Sequence, residues 1–170
     1  MAFEIRQARP EEYAEAGRIT ADAYREFFDE DDPDLSYLDR IGDVGARAER
    51  TTVLVAAEDG RILGSLTLEL DGRVEGHESE TPLAPDQAHI RMLGVARDER
   101  SRGVGGALLR DAEQRARAAG RTHVTLNTTL RMEAARRMYD RTGYVRGEDR
   151  VFPDGFVLLT YRKELAGGSI

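Results

Sequence analysis

The sequence predicts a single mixed α/β domain in which strands and helices alternate along the chain. Short runs rich in β-branched residues favour strands, and longer segments whose apolar residues recur every three or four positions favour helices. Their order along the 170 residues is β-α-α-β-β-β-α-β-α-β-β, which is typical of a mixed fold. A chain of this length buries a substantial core, so we expect one domain over residues 1–165 and a frayed tail over residues 166–170.

The first half of the chain is predicted to contain three strands and two helices. The predicted elements are a strand over Phe3–Gln7, a helix from Pro10 to about Phe28, a helix from Ser36 to about Arg47, and strands Thr52–Glu58 and Ile62–Leu70. Proline fits the first helical turn, and the acidic residues after Pro10 complement the helix dipole. Asp59-Gly60 is a typical hairpin turn between the two strands. We expect Ile62, Leu66, Leu68 and Leu70 to share one face of the third strand.

The second half begins with a long polar loop from Asp71 to about Gln87, and loops of this length are often functional. The elements predicted after it are a strand over Ala88–Val95, a helix over Gly103–Ala119, a strand over His123–Thr128, a helix from Met132 to about Thr142, and strands Tyr144–Asp149 and Phe156–Arg162. Gly120 is a natural helix stop, because helices commonly end at a left-handed glycine. Pro153-Asp154-Gly155 is expected to join the last two strands.

Composition excludes several classes of function. A net charge of −7 argues against nucleic acid as the main partner, because such binding requires a basic surface. Cysteine is absent and the three histidines lie far apart in sequence, so we expect neither disulfides nor a metal site. No apolar run is long enough for a membrane span, and the N-terminal residues do not resemble a secretory signal. Lys163 is the only lysine in an arginine-rich chain, and together these features predict a bacterial cytoplasmic protein.

The most informative segment is a short apolar strand followed by a basic, glycine-rich turn that opens directly into a helix. Strand Ala88–Val95 leads into Arg100-Ser101-Arg102-Gly103-Val104-Gly105-Gly106. N–H groups at a helix start have no intrahelical partner, and the helix dipole favours an anion there. Glycine lets the backbone approach that anion, and Arg100 and Arg102 add positive charge beside it. The segment therefore predicts a site for a phosphorylated ligand.

Three glycine motifs could account for such a site. A P-loop requires a lysine after the glycines, and none follows Gly106. A dinucleotide fingerprint, G-x-G-x-x-G, requires glycine where Leu108 stands and an acidic residue after the next strand, which ends instead in Asn127-Thr128-Thr129. The third motif, R/Q-x-x-G-x-G/A, is matched in full by residues 100–105. On this hexapeptide alone, a tight strand-to-helix turn with solvated arginines remains an alternative.

A second motif follows about thirty residues later. The segment Ala134–Tyr144 contains the pattern A-x-x-x-Y-x-x-x-G-[FY], which begins at Ala135. Together with Leu93–Leu109, it resembles the GNAT superfamily of acetyl-CoA-dependent N-acyltransferases, and the order of elements agrees from Phe3 to about Arg162. The resemblance implies the GNAT fold, a mixed α/β fold with a central, mostly antiparallel sheet of about seven strands flanked by four helices.

The resemblance also implies where acetyl-CoA would bind. The pantetheine arm would lie along the backbone of Leu93, Gly94 and Val95, where the strand is expected to carry a bulge, and a backbone N–H near Leu93 would face the thioester carbonyl. The pyrophosphate would lie on the turn formed by Arg100, Ser101, Arg102, Gly103, Val104, Gly105 and Gly106. Many members carry an asparagine where Met132 stands here. Either Asn127 replaces that contact or Asn127 is only a turn former at a strand end.

Catalytic candidates follow from the same resemblance. Tyr139 matches the tyrosine that in many members protonates the departing thiolate, and the alternative is a core aromatic on an amphipathic helix. His89 and Glu69 are candidates for the base that deprotonates the amine, and the alternative for each is a strand-edge polar residue. Acceptor-site candidates are the aromatic residues Tyr24, Phe27, Phe28 and Tyr37 and the loop residues Glu75, His77, Glu78 and Glu80. Their alternatives are core packing and a solvated loop.

The resemblance implies transfer of an acetyl group from acetyl-CoA to a primary amine of a small molecule or a protein. The absence of cysteine agrees with direct attack of the amine on the thioester. A non-catalytic acyl-CoA sensor or interaction module and a nucleotide-binding α/β protein are the alternatives. We expect a monomer or homodimer that uses no metal and binds neither nucleic acid nor membrane.

Overall fold

A computed structural model of the chain describes residues 2–32, 35–71 and 82–165. The helices in these ranges are α1 (Tyr13–Arg25), α2 (Tyr37–Gly42), α3 (Val44–Ala48), α4 (Val104–Ala118) and α5 (Glu133–Arg141), with short 3-10 turns at Pro10–Glu12 and Arg97–Glu99. The strands are β1 (Glu4–Gln7), β2 (Thr52–Glu58), β3 (Arg61–Glu69), β4 (Gln87–Val95), β5 (His123–Thr128), β6 (Val145–Arg146), β7 (Arg150–Val151) and β8 (Val157–Glu164). The predicted order of elements is confirmed, except that α2 and α3 replace one predicted helix and β6 and β7 replace one predicted strand.

Hydrogen bonding orders the strands β1-β2-β3-β4-β5-β8-β6, and β7 pairs with β8 beside this path. Strand β4 pairs with β5 in parallel, whereas β1–β2, β2–β3, β5–β8, β6–β8 and β7–β8 are antiparallel. This confirms the predicted mixed, mostly antiparallel sheet. The chain divides into two compact units, one built from Met1–Leu68 and Met92–Ala112 and the other from Glu69–Arg91 and Glu113–Ile170.

The first unit packs α1 and α3 against the β1–β2–β3 part of the sheet. One core cluster of this unit consists of Ala8, Ala16, Ile19, Val44, Val53, Val55, Ala57 and Ile62. Asp59 and Gly60 join β2 to β3 with φ values of 51° and 77°, the left-handed pair that favours a tight hairpin. Residues Ile62–Glu69 of β3 are all buried, so this strand is covered on both faces.

The single helix predicted from Ser36 to about Arg47 is wrong, because the structure has two helices there. They meet at Asp43, whose φ and ψ of −86° and 69° are not helical. Its side chain accepts a hydrogen bond from the Ala46 N–H at 3.2 Å. An aspartate that caps a following helix competes with continuation of the preceding one, which explains the break. The predicted inward residues Leu38, Ile41 and Val44 are buried.

The second unit is organised around β5 and β8. Their ladder runs from His123 opposite Glu164 to Thr128 opposite Leu159. The strand predicted over Tyr144–Asp149 is shorter than expected, since β6 has only two residues and a further short strand, β7, follows it. Thr160 explains the interruption, because its carbonyl accepts from the Gly147 N–H and its hydroxyl donates to the Glu148 carbonyl.

A close approach of backbones fixes α1 against α2. A Cβ placed on Gly17 of α1 would lie 2.0 Å from the carbonyl oxygen of Gly42 in α2. Real side-chain carbons do not approach a backbone oxygen so closely, so any residue larger than glycine would push the two helices apart.

Gly17→Ala is expected to destabilise the protein by about 2–3 kcal/mol, because overpacking outweighs the gain of about 0.5–1 kcal/mol that alanine normally brings to a helix. The control is Gly45→Ala in α3, where the new Cβ would meet only a ring carbon of Tyr13 at 3.7 Å. Thermal unfolding of the two variants measures the difference. Equal midpoints for the two variants would contradict the predicted close packing at Gly17.

Candidate functional site

Strand β4 departs from regular geometry at Met92. Its φ of 54° is left-handed, which is uncommon for a residue other than glycine inside a strand and is typical of bulges. The parallel ladder between β4 and β5 covers Gln87–Ile90 and ends two residues before Met92. The irregularity lies immediately before residues 93–95, where the resemblance implies a bulge.

Packing explains why glycine occupies position 94 in β4. A Cβ on Gly94 would lie 3.1 Å from the Thr20 Cα of α1. On β3, a Cβ on Gly64 would lie 2.9 Å from the Gly94 carbonyl oxygen. Ala96 then donates its N–H to the Leu63 carbonyl at 2.8 Å. These close contacts hold the end of β4 where the turn to α4 begins.

The turn between β4 and α4 uses two left-handed residues. Ser101 has φ of 73° and Gly103 has φ of 83°. No described atom would lie within 4 Å of a Cβ placed on Gly103. The Gly103 carbonyl accepts the Ala107 N–H at 3.0 Å, which places this glycine at the beginning of α4. The N–H groups of the first helical turn have no carbonyl of their own helix to bind, so the turn presents donors suited to an anion.

The arginine side chains of the turn are paired with carboxylates, which differs from the positive charge we expected beside the phosphate site. Arg102 Nη1 lies 2.6 Å from Glu99 Oε1, and its Nη2 lies 2.9 Å from Glu58 Oε2. Arg100 Nη2 lies 2.8 Å from Glu26 Oε1. The hydrogen bond from Arg102 holds the pKa of Glu58 below its usual value. These pairs anchor the turn, and their acidic partners offset its positive charge.

Tyr139 of α5 is buried in a cluster of aromatic rings. Its ring centroid lies 5.9 Å from that of Tyr144 and 5.6 Å from that of Tyr161. Burial raises the pKa of the Tyr139 phenol well above its ordinary value, and Tyr161 adds to the shift. The hydroxyl is protonated at neutral pH at its ordinary pKa as well, so this shift does not distinguish a proton donor from a core aromatic residue.

The two base candidates are buried and held by polar groups. His89 Nδ1 lies 2.7 Å from Thr125 Oγ1, to which Gln87 Nε2 also donates at 2.8 Å. Glu69 of β3 forms an ion pair with Arg91 of β4, with 3.8 Å between Oε1 and Nη1 and side-chain exposures of only 2% and 3%. Sequence reasoning missed Arg91, because the charge pattern of β4 alone does not indicate a partner on β3.

The structure gives Asn127 and Met132 well-defined surroundings. Asn127 is half-buried in β5 and lies opposite Thr160 of β8. Met132 immediately precedes α5, and its sulfur accepts a hydrogen bond from Thr128 Oγ1 at 3.2 Å. Met132, at the position where the resemblance implies an asparagine, thus presents a thioether that is hydrogen-bonded to Thr128 at the end of β5.

The acceptor-site candidates divide into two groups. Tyr24, Phe28 and Tyr37 pack against a core cluster formed by Ala21, Leu38, Ile41 and Met92. Phe27 is half-buried after the end of α1. Glu75, His77, Glu78 and Glu80 lie outside the described residues. Core packing therefore accounts for three of the four aromatic candidates.

Two further observations concern the part of the chain that the structure describes. Within it, no group of three or more histidine, aspartate or glutamate side chains is arranged to hold a metal ion. No helix within residues 2–32, 35–71 and 82–165 has both the length and the apolar character needed to cross a membrane.

Solved structures share the fold over almost the whole chain. A GNAT-family protein from Desulfovibrio desulfuricans has a TM-score of 0.76 at 20% identity, with 97% of this chain and 100% of that chain covered. Ard1 from Thermoplasma volcanium has a TM-score of 0.73 at 17% identity, with 98% and 99% covered. The structure of yncA from Salmonella typhimurium with its cofactor acetyl-CoA has a TM-score of 0.69 at 17% identity, with 100% and 98% covered.

Comparisons of sequence give a family but no curated relative. A search of curated proteins found no match to this chain. The family model described as the acetyltransferase (GNAT) family matches residues 15–144, which include β4, the glycine turn, α4 and Tyr139. The match covers well over half of the 170 residues. The chain therefore belongs to the acetyltransferase (GNAT) family.

Proposed function

We propose that this protein is an N-acetyltransferase that transfers the acetyl group of acetyl-CoA to a primary amine of a small molecule or a protein. One observation carries the proposal. The open, left-handed Gly103 begins α4 in the turn that follows the irregular end of β4, inside the segment that matches the family. The bound acetyl-CoA of yncA, a neighbour of the same fold, supports this choice of acyl donor.

The residues of the turn fit a pyrophosphate through their backbone. Because the Arg100 and Arg102 side chains are paired with carboxylates, we assign the anion to the N–H groups of residues 102–106 and to the dipole of α4. The space around Gly103 would allow the ligand to approach the backbone closely.

The end of β4 is assigned to the pantetheine arm. The left-handed Met92 interrupts the regular strand just before Leu93 and Val95, whose backbone we expect to pair with the pantetheine amides. The Leu93 N–H is the proposed donor to the thioester carbonyl. A donor aimed at oxygen that gains negative charge during reaction typically contributes about 3 kcal/mol.

The proposed reaction is a direct displacement. The neutral amine nitrogen bonds to the acetyl carbon, the carbon–sulfur bond breaks, and the CoA sulfur leaves as a thiolate that takes a proton from Tyr139. The remaining surplus proton on the amine nitrogen passes to the Tyr139 oxygen, so that the products are the amide, the CoA thiol and neutral Tyr139. His89 is the preferred base for the ammonium proton, with Glu69 as the other candidate. The contact with Thr125 supports a fixed orientation of the imidazole.

An amine panel assayed by release of the CoA thiol tests this function. The panel should include diamines, free amino acids and peptides with free N-termini, each mixed with acetyl-CoA. We expect thiol release that depends on the amine and on the enzyme. CoA binding without turnover on any amine would favour a non-catalytic acyl-CoA-binding module, and preferential binding of NAD or ATP would favour a nucleotide-binding protein.

Gly103→Val is expected to weaken CoA binding at least tenfold, because a branched side chain would hinder the approach of the pyrophosphate and strain the left-handed backbone. Gly120→Val is the matched control. Gly120 follows α4, has φ of 82°, and likewise has no described atom within 4 Å of a placed Cβ. Both variants should lose similar stability, but only Gly103→Val should raise the calorimetric Kd for CoA. An equal Kd in the two variants would remove the turn from the binding site.

Tyr139→Phe is expected to lower kcat about 100-fold while the Kd for CoA stays within twofold of wild type, since the phenol acts on the leaving thiolate rather than in binding. Tyr161→Phe removes a hydroxyl from the neighbouring buried ring and serves as the control. Steady-state kinetics and calorimetry provide the two readouts. Wild-type turnover in Tyr139→Phe would rule out the proposed proton donor.

A further inference from the structure

The second compact unit contains a buried charged cluster that the proposed reaction does not use. Glu113 of α4 is 4% exposed. Its Oε2 accepts the Tyr144 hydroxyl at 2.8 Å, and its Oε1 pairs with Lys163 Nζ at 3.0 Å. The Lys163 ammonium also lies 5.5 Å from the centre of the Tyr144 ring. One carboxylate thus connects α4, β8 and the segment that follows α5.

Such a cluster is a costly way to gain stability. A buried carboxylate loses several kcal/mol of hydration, and replacing a buried ion pair with apolar side chains is often neutral or stabilising. The pairing with Tyr144 and Lys163 satisfies the charge but does not by itself explain why a charge is present. The geometry that the cluster imposes on its neighbours offers an explanation.

The cation of this cluster is a lysine, Lys163, and the space around its side chain is limited. Lys163 is the only lysine among the 25 lysine and arginine residues of the chain. Its Cε lies 3.5 Å from where a Cβ on Gly143 would stand, and Gly143 has φ of 94°. A narrow ammonium stem suits this space, whereas arginine carries a wider planar group.

Tyr144 connects the cluster to Tyr139. The Tyr144 N–H donates to the Tyr139 carbonyl at 3.0 Å, and the two ring centroids lie 5.9 Å apart. The Tyr139 ring also contacts Tyr161, with 5.6 Å between the ring centroids. The Tyr139 ring therefore contacts a neighbour whose own hydroxyl is fixed by Glu113.

We propose that Glu113 is a positioning residue: acting through Tyr144, and with Lys163 as counter-ion, it fixes the Tyr139 ring for proton transfer to the CoA thiolate. This inference rests on the proposed function for the role of Tyr139. A proton donor works only within hydrogen-bond reach of its acceptor, and a displacement of about 1 Å can lower a rate about 100-fold. Glu113 thus acts on the rate without touching a substrate.

A double-mutant cycle tests the connection between Glu113 and Tyr139. Glu113→Gln and Tyr144→Phe are each expected to lower kcat about tenfold, with the KM for acetyl-CoA changed less than twofold. In the Tyr139→Phe background neither substitution should lower kcat further, because a positioning effect disappears when the positioned hydroxyl is absent. The control is Glu164→Gln, which removes an exposed carboxylate next to Lys163 on β8 and should leave kcat unchanged.

A measurement without turnover tests the ring position itself. With fluorotyrosine incorporated at the six tyrosines, ¹⁹F NMR gives a Tyr139 resonance that the Tyr139→Phe variant assigns. We expect Glu113→Gln to shift or broaden this resonance and Glu164→Gln to leave it in place. This readout remains valid even if the wild-type protein acetylates no amine in the panel, an outcome that would count against the proposed function alone.

Three results would overturn the inference. Equal losses of kcat in the wild-type and Tyr139→Phe backgrounds would show that Glu113 has only a general structural role. Unchanged kcat in both Glu113→Gln and Tyr144→Phe would show that nothing is positioned. An unmoved Tyr139 fluorine resonance in Glu113→Gln would show that the carboxylate does not hold the ring.

Discussion

The backbone N–H groups in the first turn of α4 have no carbonyl of the same helix to which they could donate a hydrogen bond. The arrangement of the residues around this turn depends on that constraint. Helices usually satisfy such donors with a capping side chain. Here the preceding residue is Gly103, which has no side chain, and the position where its Cβ would lie is open. The local structure therefore keeps the helix start accessible to an anion.

Several contacts in the first compact unit keep that turn in one place. Gly64 and Gly94 bring β3, β4 and α1 close together, so the end of β4 has little freedom. The carboxylates of Glu58 and Glu99 then hold Arg102. Arginine in this turn thus serves the structure of the loop, and we assign ligand binding to the backbone. A rigid turn presents its N–H groups without an ordering cost upon binding.

Local patterns in the sequence predicted most elements, whereas contacts between distant residues could not be predicted. Periodicity identified the strands and long helices, and the two motifs identified the family. The break at Asp43 was missed because it depends on a cap rather than on the apolar pattern. Arg102 and Glu58 are 44 residues apart, and Glu113 and Lys163 are 50 apart, so only the folded chain shows their pairing.

The most direct test of the account is an amide-resolved NMR titration of the ¹⁵N-labelled protein with CoA. If the backbone binds the pyrophosphate and pantetheine as proposed, the largest shifts will be at the N–H groups of residues 93–95 and 102–106. Residues of β1 and α3, which have no assigned role, should move little. Saturable binding with the largest shifts outside those two segments, or no saturable shift at millimolar CoA, would contradict the account.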